Sequence, residues 1–113
     1  MVSLTSAVAL VTGGTRGVGK GAALGLGEAG ARVYVTGRTE RTGQSTLPGT
    51  LAATVAAVAR LGATAVGLTC DHRVDADVAA AIARVKAEAG RLDVLVNNVY
   101  ARPEQRAAGV PFW

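Results

Sequence analysis

Four short apolar runs alternate along the chain with three longer, Ala-rich segments. The run from Ala7 to Val11 is continuous and ends in Thr12-Gly13-Gly14, a pattern typical of a buried strand that enters a turn. Similar runs predict three further strands at 32–36, 64–69 and 93–96. Continuous apolar runs, rather than alternating ones, favour strands that are covered on both faces, as in a parallel sheet.

The segments between these runs predict three helices, at 18–29, 50–61 and 75–89. Gly30 follows the first helix, where a left-handed residue often ends a helix. Thr50 and Asp75 are the first residues of the second and third predicted segments and are predicted as the N-caps of those helices. The buried face of the first helix is expected to carry Val18, Ala22, Leu26 and Ala29.

Each strand and its following helix take about 30 residues, the length of a βαβ crossover. Three such units predict a single α/β domain over 1–113, with a doubly wound parallel sheet of about four strands in the order 3-2-1-4 and three helices. The polar segment 37–49 is long for a strand-to-helix connection, and such loops are often functional. The segment 99–113 shows no clear period and is expected to be loop.

The formal net charge is +4, from ten Arg and two Lys against eight acidic residues. The Arg residues are scattered and are not interleaved with aromatic residues, so nucleic acid is not expected as a partner. Cys70 stands alone, without metal-ligand spacing, and is expected to be a buried apolar side chain. The early apolar run is too short for a signal peptide or a membrane span, so a cytoplasmic protein without a membrane partner is expected.

The glycine-rich turn Thr12 to Gly19 lies between the first strand and the first helix. Glycines there let the chain turn sharply, let a pyrophosphate approach the backbone and let the helix pack closely on the strand. The helix start then offers N–H groups and a positive dipole end to phosphates. In a βαβ unit this pattern predicts nucleotide binding.

A P-loop is the main alternative, because Gly14 to Lys20 fits its first seven positions. The next residue of a P-loop is Ser or Thr, which binds Mg²⁺, whereas this chain has Gly21. The fourth strand ends in Asn97-Asn98 rather than in an acidic metal ligand. These departures disfavour an NTPase and predict no metal site.

The end of the second strand indicates which dinucleotide is bound. An NAD enzyme needs an acidic residue there for the ribose 2′-hydroxyl, but this chain has Gly37-Arg38-Thr39. Arg38 and Arg16 are expected to meet a 2′-phosphate, which favours NADP(H) over NAD(H). Asp71 follows the third strand within reach of an adenine amino group, although by itself it is equally typical of a turn residue. The His72 backbone is expected near the adenine ring.

With Thr-Gly-x-x-x-Gly-x-Gly at 12–19, Asp71 after strand three and Asn97-Asn98 after strand four, the chain resembles the short-chain dehydrogenase/reductase family over about its first 100 residues. The resemblance implies a Rossmann-like, often oligomeric nicotinamide oxidoreductase acting on a carbonyl or alcohol substrate. It implies that the phosphates and ribose are lined by Gly13, Thr15, Arg16, Gly17, Val18 and Gly19. It further implies Arg38 at the 2′-phosphate, Asp71 and His72 at the adenine, and Asn98 at the ribose side of the cofactor.

Two departures from the family pattern bear on activity. Asn98 is followed by Val99-Tyr100-Ala101, which is similar to a sub-branch that writes Asn-Asn-Ala-Tyr-Ala. The family's Ser and Tyr-x-x-x-Lys set is absent: Tyr34 is followed four residues on by Arg38, and Tyr100 by Glu104. No catalytic residue is therefore predicted, and the chain is expected to supply the cofactor-binding half. The alternative is a non-catalytic nucleotide-binding module.

An exposed fourth strand is also expected. In the order 3-2-1-4 that strand lies at an edge, with its N–H and C=O groups and apolar side chains open to another chain. Self-association through this strand is predicted.

Overall fold

The four predicted strands form one parallel sheet in the computed structural model, which describes residues 3–38 and 49–99. The strands are β1 (Val8–Val11), β2 (Arg32–Gly37), β3 (Ala65–Thr69) and β4 (Val94–Val96). The helices are α1 (Gly17–Glu28), α2 (Leu51–Ala59) and α3 (Asp75–Ala89). The strand order is β3-β2-β1-β4, so the predicted Rossmann-like α/β fold and its topology are confirmed. Most of the predicted loop 37–49 and of the tail 99–113 lies outside the described residues.

The sheet has an apolar core on each face. Parallel pairing places Leu10 beside Tyr34 on one side and beside Leu95 on the other, so these three side chains share a face. The α3 helix covers that face through Ala81 and Val85. The opposite face is covered by α1 and α2, and its buried cluster contains Ala9, Val11, Ala23, Ala31, Val33, Val35, Leu51 and Val58. Both faces of the central strands are therefore buried, as the continuous apolar runs predict.

The buried face of α1 follows the prediction in part. Ala22 and Leu26 pack, partly buried, against the core as expected. The fully buried row, however, is Gly19, Ala23 and Gly27, and Val18 is 79% exposed. A Cβ at Gly27 would lie 2.7 Å from Cγ1 of Val58 on α2, so only glycine fits that contact without movement. The prediction followed the larger apolar side chains, whereas close packing between the two helices selects small ones.

The caps of the helices follow the sequence in part. Thr50 caps α2 as predicted, since its hydroxyl accepts the backbone N–H of Ala53 at 3.0 Å. Asp75 is not the cap of α3, and that prediction is wrong. Val74 is the N-cap, because its carbonyl already accepts the N–H groups of Asp77 at 3.0 Å and Val78 at 3.3 Å. Asp75 lies one residue further along, in the first turn of α3, where its carboxylate interacts favourably with the positive end of the helix dipole.

Asp93 fixes the start of β4 against β1. Its carboxylate accepts the Val8 N–H at 2.8 Å, and its own N–H donates to the Val8 carbonyl at 2.8 Å. Arg91 pairs with the same carboxylate at 2.6 Å and, with the Val8 hydrogen bond, lowers the pKa of Asp93. Among the described residues β4 pairs with β1 alone, so it is an edge strand there.

Within 3–38 and 49–99, no helix is both long and apolar enough to cross a membrane.

Candidate functional site

The glycine turn between β1 and α1 is held from beneath by β2 and α2. Gly13 has a left-handed backbone, with φ of 71°, and its N–H donates to the hydroxyl of Thr36 at 3.2 Å. The next N–H, from Gly14, donates to the Thr36 carbonyl at 2.9 Å. The buried Thr54 hydroxyl of α2 donates to the Gly14 carbonyl at 2.8 Å. Both neighbouring elements therefore fix the turn in one conformation.

The second contact of the turn is with the end of β4. Asn98 donates from Nδ2 to the Gly13 carbonyl at 3.0 Å. A Cβ at Gly19 would overlap that same carbonyl oxygen and would lie 2.7 Å from Asn98 Nδ2. Gly19 is buried for this reason, and α1 begins directly against the turn. Gly13, Gly19 and Asn98 form a close-packed cradle at this end of the turn.

The first turn of α1 is open to an anion. Arg16 is the N-cap in an extended conformation, without a side-chain cap hydrogen bond, and the first turn carries no acidic residue. Gly17 and Val18 are exposed, and Thr15 is 7% exposed beneath them. The first N–H groups of a helix have no partner within the helix. Together with the helix dipole they form an electropositive surface that suits phosphate.

A charged cluster lies at the ends of β2 and β3. Arg73 forms two hydrogen bonds with the Asp71 carboxylate, at 3.1 Å from Nε and 2.9 Å from its terminal nitrogen, and adds one from its backbone N–H at 3.0 Å. These contacts lower the pKa of Asp71 to about 2, and the charge of exposed Arg38 acts in the same direction. Asp71 is therefore an ionised, acceptor-only group at neutral pH.

The Asp71 backbone is also held, since its N–H donates to the Asp77 carboxylate of α3 at 3.0 Å.

His72 lies against β2. Its Nε2 is 2.8 Å from the Thr36 hydroxyl, the same hydroxyl that accepts the Gly13 N–H. His72 was predicted to lie near the adenine, but no partner was predicted for its ring. The partner is Thr36, the buried polar residue at the end of an otherwise apolar strand.

Thr12 holds the segment that follows β4. Its hydroxyl accepts the N–H groups of Asn98 at 3.1 Å and Val99 at 3.2 Å, and it donates to the Val96 carbonyl at 3.3 Å. No site role was predicted for Thr12, Thr36 or Thr54. Each is a buried polar residue that hydrogen-bonds to the turn or to the segment after β4. A threonine within or beside an apolar run was the one feature of the sequence that could have indicated these buried hydrogen bonds.

All ten predicted site residues lie among the described residues and at the carboxyl ends of the strands or the start of α1. The turn carries Gly13, Thr15, Arg16, Gly17, Val18 and Gly19, whereas Arg38 follows β2, Asp71 and His72 follow β3, and Asn98 follows β4. This edge of an open α/β sheet is where ligands bind in such folds.

Two titratable side chains, the phenol of Tyr34 and the thiol of Cys70, are buried in the core of the sheet. Tyr34 is fully buried under α3, where its hydroxyl donates to Glu88 at 3.0 Å. Burial, followed by the Glu88 hydrogen bond, raises the pKa of Tyr34. Cys70 is 1% exposed, which confirms its predicted burial, and burial raises the pKa of its thiol. In the described ranges, no three His, Cys, Asp or Glu residues are grouped so as to hold a metal ion.

Comparison with known proteins identifies the family. The short chain dehydrogenase family model matches residues 7–108. The chain therefore belongs to the short-chain dehydrogenase/reductase family, as the resemblance of its motifs predicted. Members of this family are oxidoreductases that bind a nicotinamide dinucleotide, and this chain has the family's Rossmann-like nucleotide-binding fold.

Curated relatives are longer than this chain. It is 44% identical over 95 residues to dehydrogenase/reductase SDR family member 1 of Mus musculus, covering 83% of this chain and 28% of that protein. It is 38% identical over 96 residues to 2-dehydro-3-deoxy-D-gluconate 5-dehydrogenase of Escherichia coli K12, covering 85% of this chain and 34% of that protein. The chain thus spans about a third of the length of these relatives.

Solved structures agree with the fold. A short chain dehydrogenase from Mycobacterium thermoresistibile superimposes with a TM-score of 0.83 at 29% identity, over 97% of this chain and 39% of that one. A metagenomic short-chain oxidoreductase crystallised in complex with NADP gives a TM-score of 0.75 at 36% identity, over 88% of this chain and 41% of that one.

Proposed function

We infer that this chain is the NADP(H)-binding part of an oxidoreductase that acts on a carbonyl or alcohol substrate. The observation that carries the proposal is Arg38 at the end of β2, where an NAD enzyme needs a carboxylate. Arg38 is exposed and follows the buried strand directly, so its guanidinium is available at the expected position of the adenosine ribose. The relative crystallised with NADP supports the same cofactor.

The turn fits the pyrophosphate of a dinucleotide. Gly13 and Gly19 let the backbone of the turn pack closely beside Asn98, because a side chain at Gly19 would displace the Gly13 carbonyl. The exposed first turn of α1 faces the same edge and carries no competing carboxylate. Phosphate groups bound there would meet backbone N–H donors and the positive end of the helix dipole. Arg16 adds a positive charge at the N-cap position.

Discrimination between NADP and NAD rests on the 2′-phosphate. Each hydrogen bond from an arginine to that phosphate is worth about 1.5–3 kcal/mol, or roughly ten- to a hundredfold in affinity. Asp71 and His72 would meet the adenine, with the ionised Asp71 accepting from the amino group. Asn98 would lie on the ribose side, where its amide is already oriented by the Gly13 carbonyl.

The chain's own share of the reaction is to bind and orient the cofactor. A bound nicotinamide would supply hydride transfer, and these residues would hold the phosphates and the adenosine. Tyr34 takes no part, since it is buried under α3 and followed four residues on by Arg38 rather than Lys. A non-catalytic nucleotide-binding module is the second candidate function.

An amide chemical-shift titration of the isotope-labelled chain with NADPH tests the proposal. The largest shifts are expected at Gly13, Gly19 and Asn98. Gly30 and Gly62 lie at the opposite end of the sheet and serve as internal controls, because both line a separate surface depression there. Shifts that are absent at the turn, or equally large at Gly30 and Gly62, would exclude this dinucleotide site. A parallel assay for NADPH oxidation with ketones and aldehydes separates an enzyme from a binding module.

A further inference from the structure

Thr36 is hydrogen-bonded to both sides of the candidate site at once. Its hydroxyl accepts the Gly13 N–H at 3.2 Å and lies 2.8 Å from His72 Nε2. We propose that this Gly13–Thr36–His72 relay couples the adenine side of the site to the phosphate-binding turn, with Thr36 and His72 as positioning residues. The proposal rests on the dinucleotide function above, and it assigns a role to the His72 side chain rather than to its backbone.

The inventory of donors and acceptors sets the direction of the relay. A threonine hydroxyl has one proton and can accept two hydrogen bonds. With the Gly13 N–H accepted, the Thr36 proton can be donated to Nε2 of a neutral His72 that carries its proton on Nδ1. All three groups are then paired in one continuous chain of hydrogen bonds, in which each bond polarises the next.

Protonation of His72 would reverse the direction of the hydrogen bond between Thr36 and His72. An imidazolium donates from both ring nitrogens, so Nε2–H would point at the Thr36 oxygen. Thr36 would then accept from both Gly13 and His72, and its own proton would have to turn elsewhere. The hydrogen bond to the Gly13 N–H would weaken as a result, because the Thr36 oxygen would accept from a cation and would no longer be polarised by donating its own proton to His72. The backbone of the phosphate-binding turn therefore senses the state of a residue after β3.

The location of Thr36 makes this coupling specific. The residue is 0% exposed, so water does not compete for its hydroxyl. Its carbonyl accepts the Gly14 N–H at 2.9 Å, so one residue holds two consecutive amides of the turn. A small movement of Thr36 would thus be transmitted to the turn through two hydrogen bonds.

Charged groups surround His72 and must be separated from its effect. Its own segment contributes Asp71 and Arg73. From α3, Asp77 accepts the Asp71 N–H, and from the end of β2 the charge of Arg38 acts on Asp71. His72 is the only histidine of the chain, and its ring is the group on whose protonation the relay depends. The Asp71 carboxyl, with its pKa at about 2, stays ionised at neutral pH.

The relay is tested by following the Gly13 amide and the His72 ring together by NMR from about pH 5 to 8. In the wild-type chain the Gly13 amide shift is expected to follow the His72 titration, while Gly30 at the other end stays constant. Thr36→Ser keeps the hydroxyl and should keep the response. Thr36→Val removes the hydroxyl, and the Gly13 amide shift should then no longer follow the shifts of the His72 ring. A Gly13 response that persists in Thr36→Val would overturn the relay, since it would reflect charge acting through space.

This titration needs no cofactor, so it can fail without affecting the proposed function. If Thr36→Val does not fold, His72→Phe and His72→Gln provide the second test, because they leave Thr36 in place. The phenylalanine variant should bind NADPH about fivefold more weakly. Glutamine, whose amide can reach Thr36, should restore most of that affinity. Equal affinity of both variants and wild type would exclude a positioning role for His72.

Discussion

The Asn98 side chain and the Gly13 carbonyl are joined by a hydrogen bond of 3.0 Å, which ties the end of β4 to the turn after β1. Asn98→Ala removes this bond and leaves a carbonyl of the turn without its partner. The expected cost is about 1 kcal/mol of stability and a similar loss in NADPH binding. Asn97→Ala is the control, since that neighbouring side chain is exposed. Equal melting temperatures and NADPH affinities for the two variants would contradict this role for Asn98.

Gly19 and Gly21 make a matched pair within α1. A Cβ at Gly19 overlaps the Gly13 carbonyl oxygen, whereas a Cβ at Gly21 meets nothing within 4 Å. Gly19→Ala should therefore displace the turn, cost about 1–3 kcal/mol and weaken NADPH binding at least about tenfold. Gly21→Ala should stabilise the helix by up to about 1 kcal/mol. Thermal melting and fluorescence titration of both variants check these opposite signs; a harmless Gly19→Ala would mean that the cradle is not close-packed.

The pKa of Asp71 gives the chain a defined acid sensitivity. A carboxyl whose pKa is lowered to about 2 on folding stabilises the fold above the unfolded-state pKa of about 4, and this contribution is lost as the pH falls toward 2. Asp71→Asn should therefore lose less stability than wild type between about pH 4 and 2. Melting curves across that range measure the difference. Parallel losses in both proteins would show that the Arg73 pairing does not persist in solution.

Leu95 is a candidate contact for self-association. It lies in the middle of β4, which is an edge strand among the described residues, and it is 54% exposed on the sheet face that α3 covers elsewhere. A charged residue on an edge strand opposes pairing with another chain. We predict that the chain self-associates and that Leu95→Lys reduces its mean mass in light scattering. Leu61→Lys is the control, because Leu61 is 48% exposed at the end of α2; an equal effect of both substitutions would point to general solubility instead.

The fold was predictable because its strongest signals are local. Continuous apolar runs gave the strands, and the spacing of about 30 residues gave the crossover topology. The error in α1 has a physical cause: Gly19, Ala23 and Gly27 form the buried row because close packing excludes larger side chains. The wrong N-cap at Asp75 has a different cause, because α3 begins one residue earlier than expected: the Val74 carbonyl already accepts the first helical N–H groups. Neither cause can be read from hydrophobicity.

The positions of the candidate site residues in the fold were predictable, but the hydrogen bonds between those residues were not. Motif spacing placed Gly13, Asp71 and Asn98 at one edge of the sheet, where the structure has them. The hydrogen bond between Thr36 and His72 joins residues 36 positions apart, and it depends on the register of β2 and β3. The pairing of Asp71 with Arg73 likewise depends on side-chain conformations in a loop. Such contacts follow from tertiary geometry rather than from local sequence.

Arg38 carries the central claim, that the site prefers NADP(H). The most direct measurement is the ratio of the dissociation constants for NADPH and NADH, determined for wild type, Arg38→Asp and Arg60→Asp. Arg60 is exposed at the end of α2, so its variant changes the net charge equally without altering the site. We expect a preference for NADPH of about ten- to a hundredfold in wild type and in Arg60→Asp, and a shift toward NADH in Arg38→Asp. A ratio that is unchanged in Arg38→Asp would contradict it.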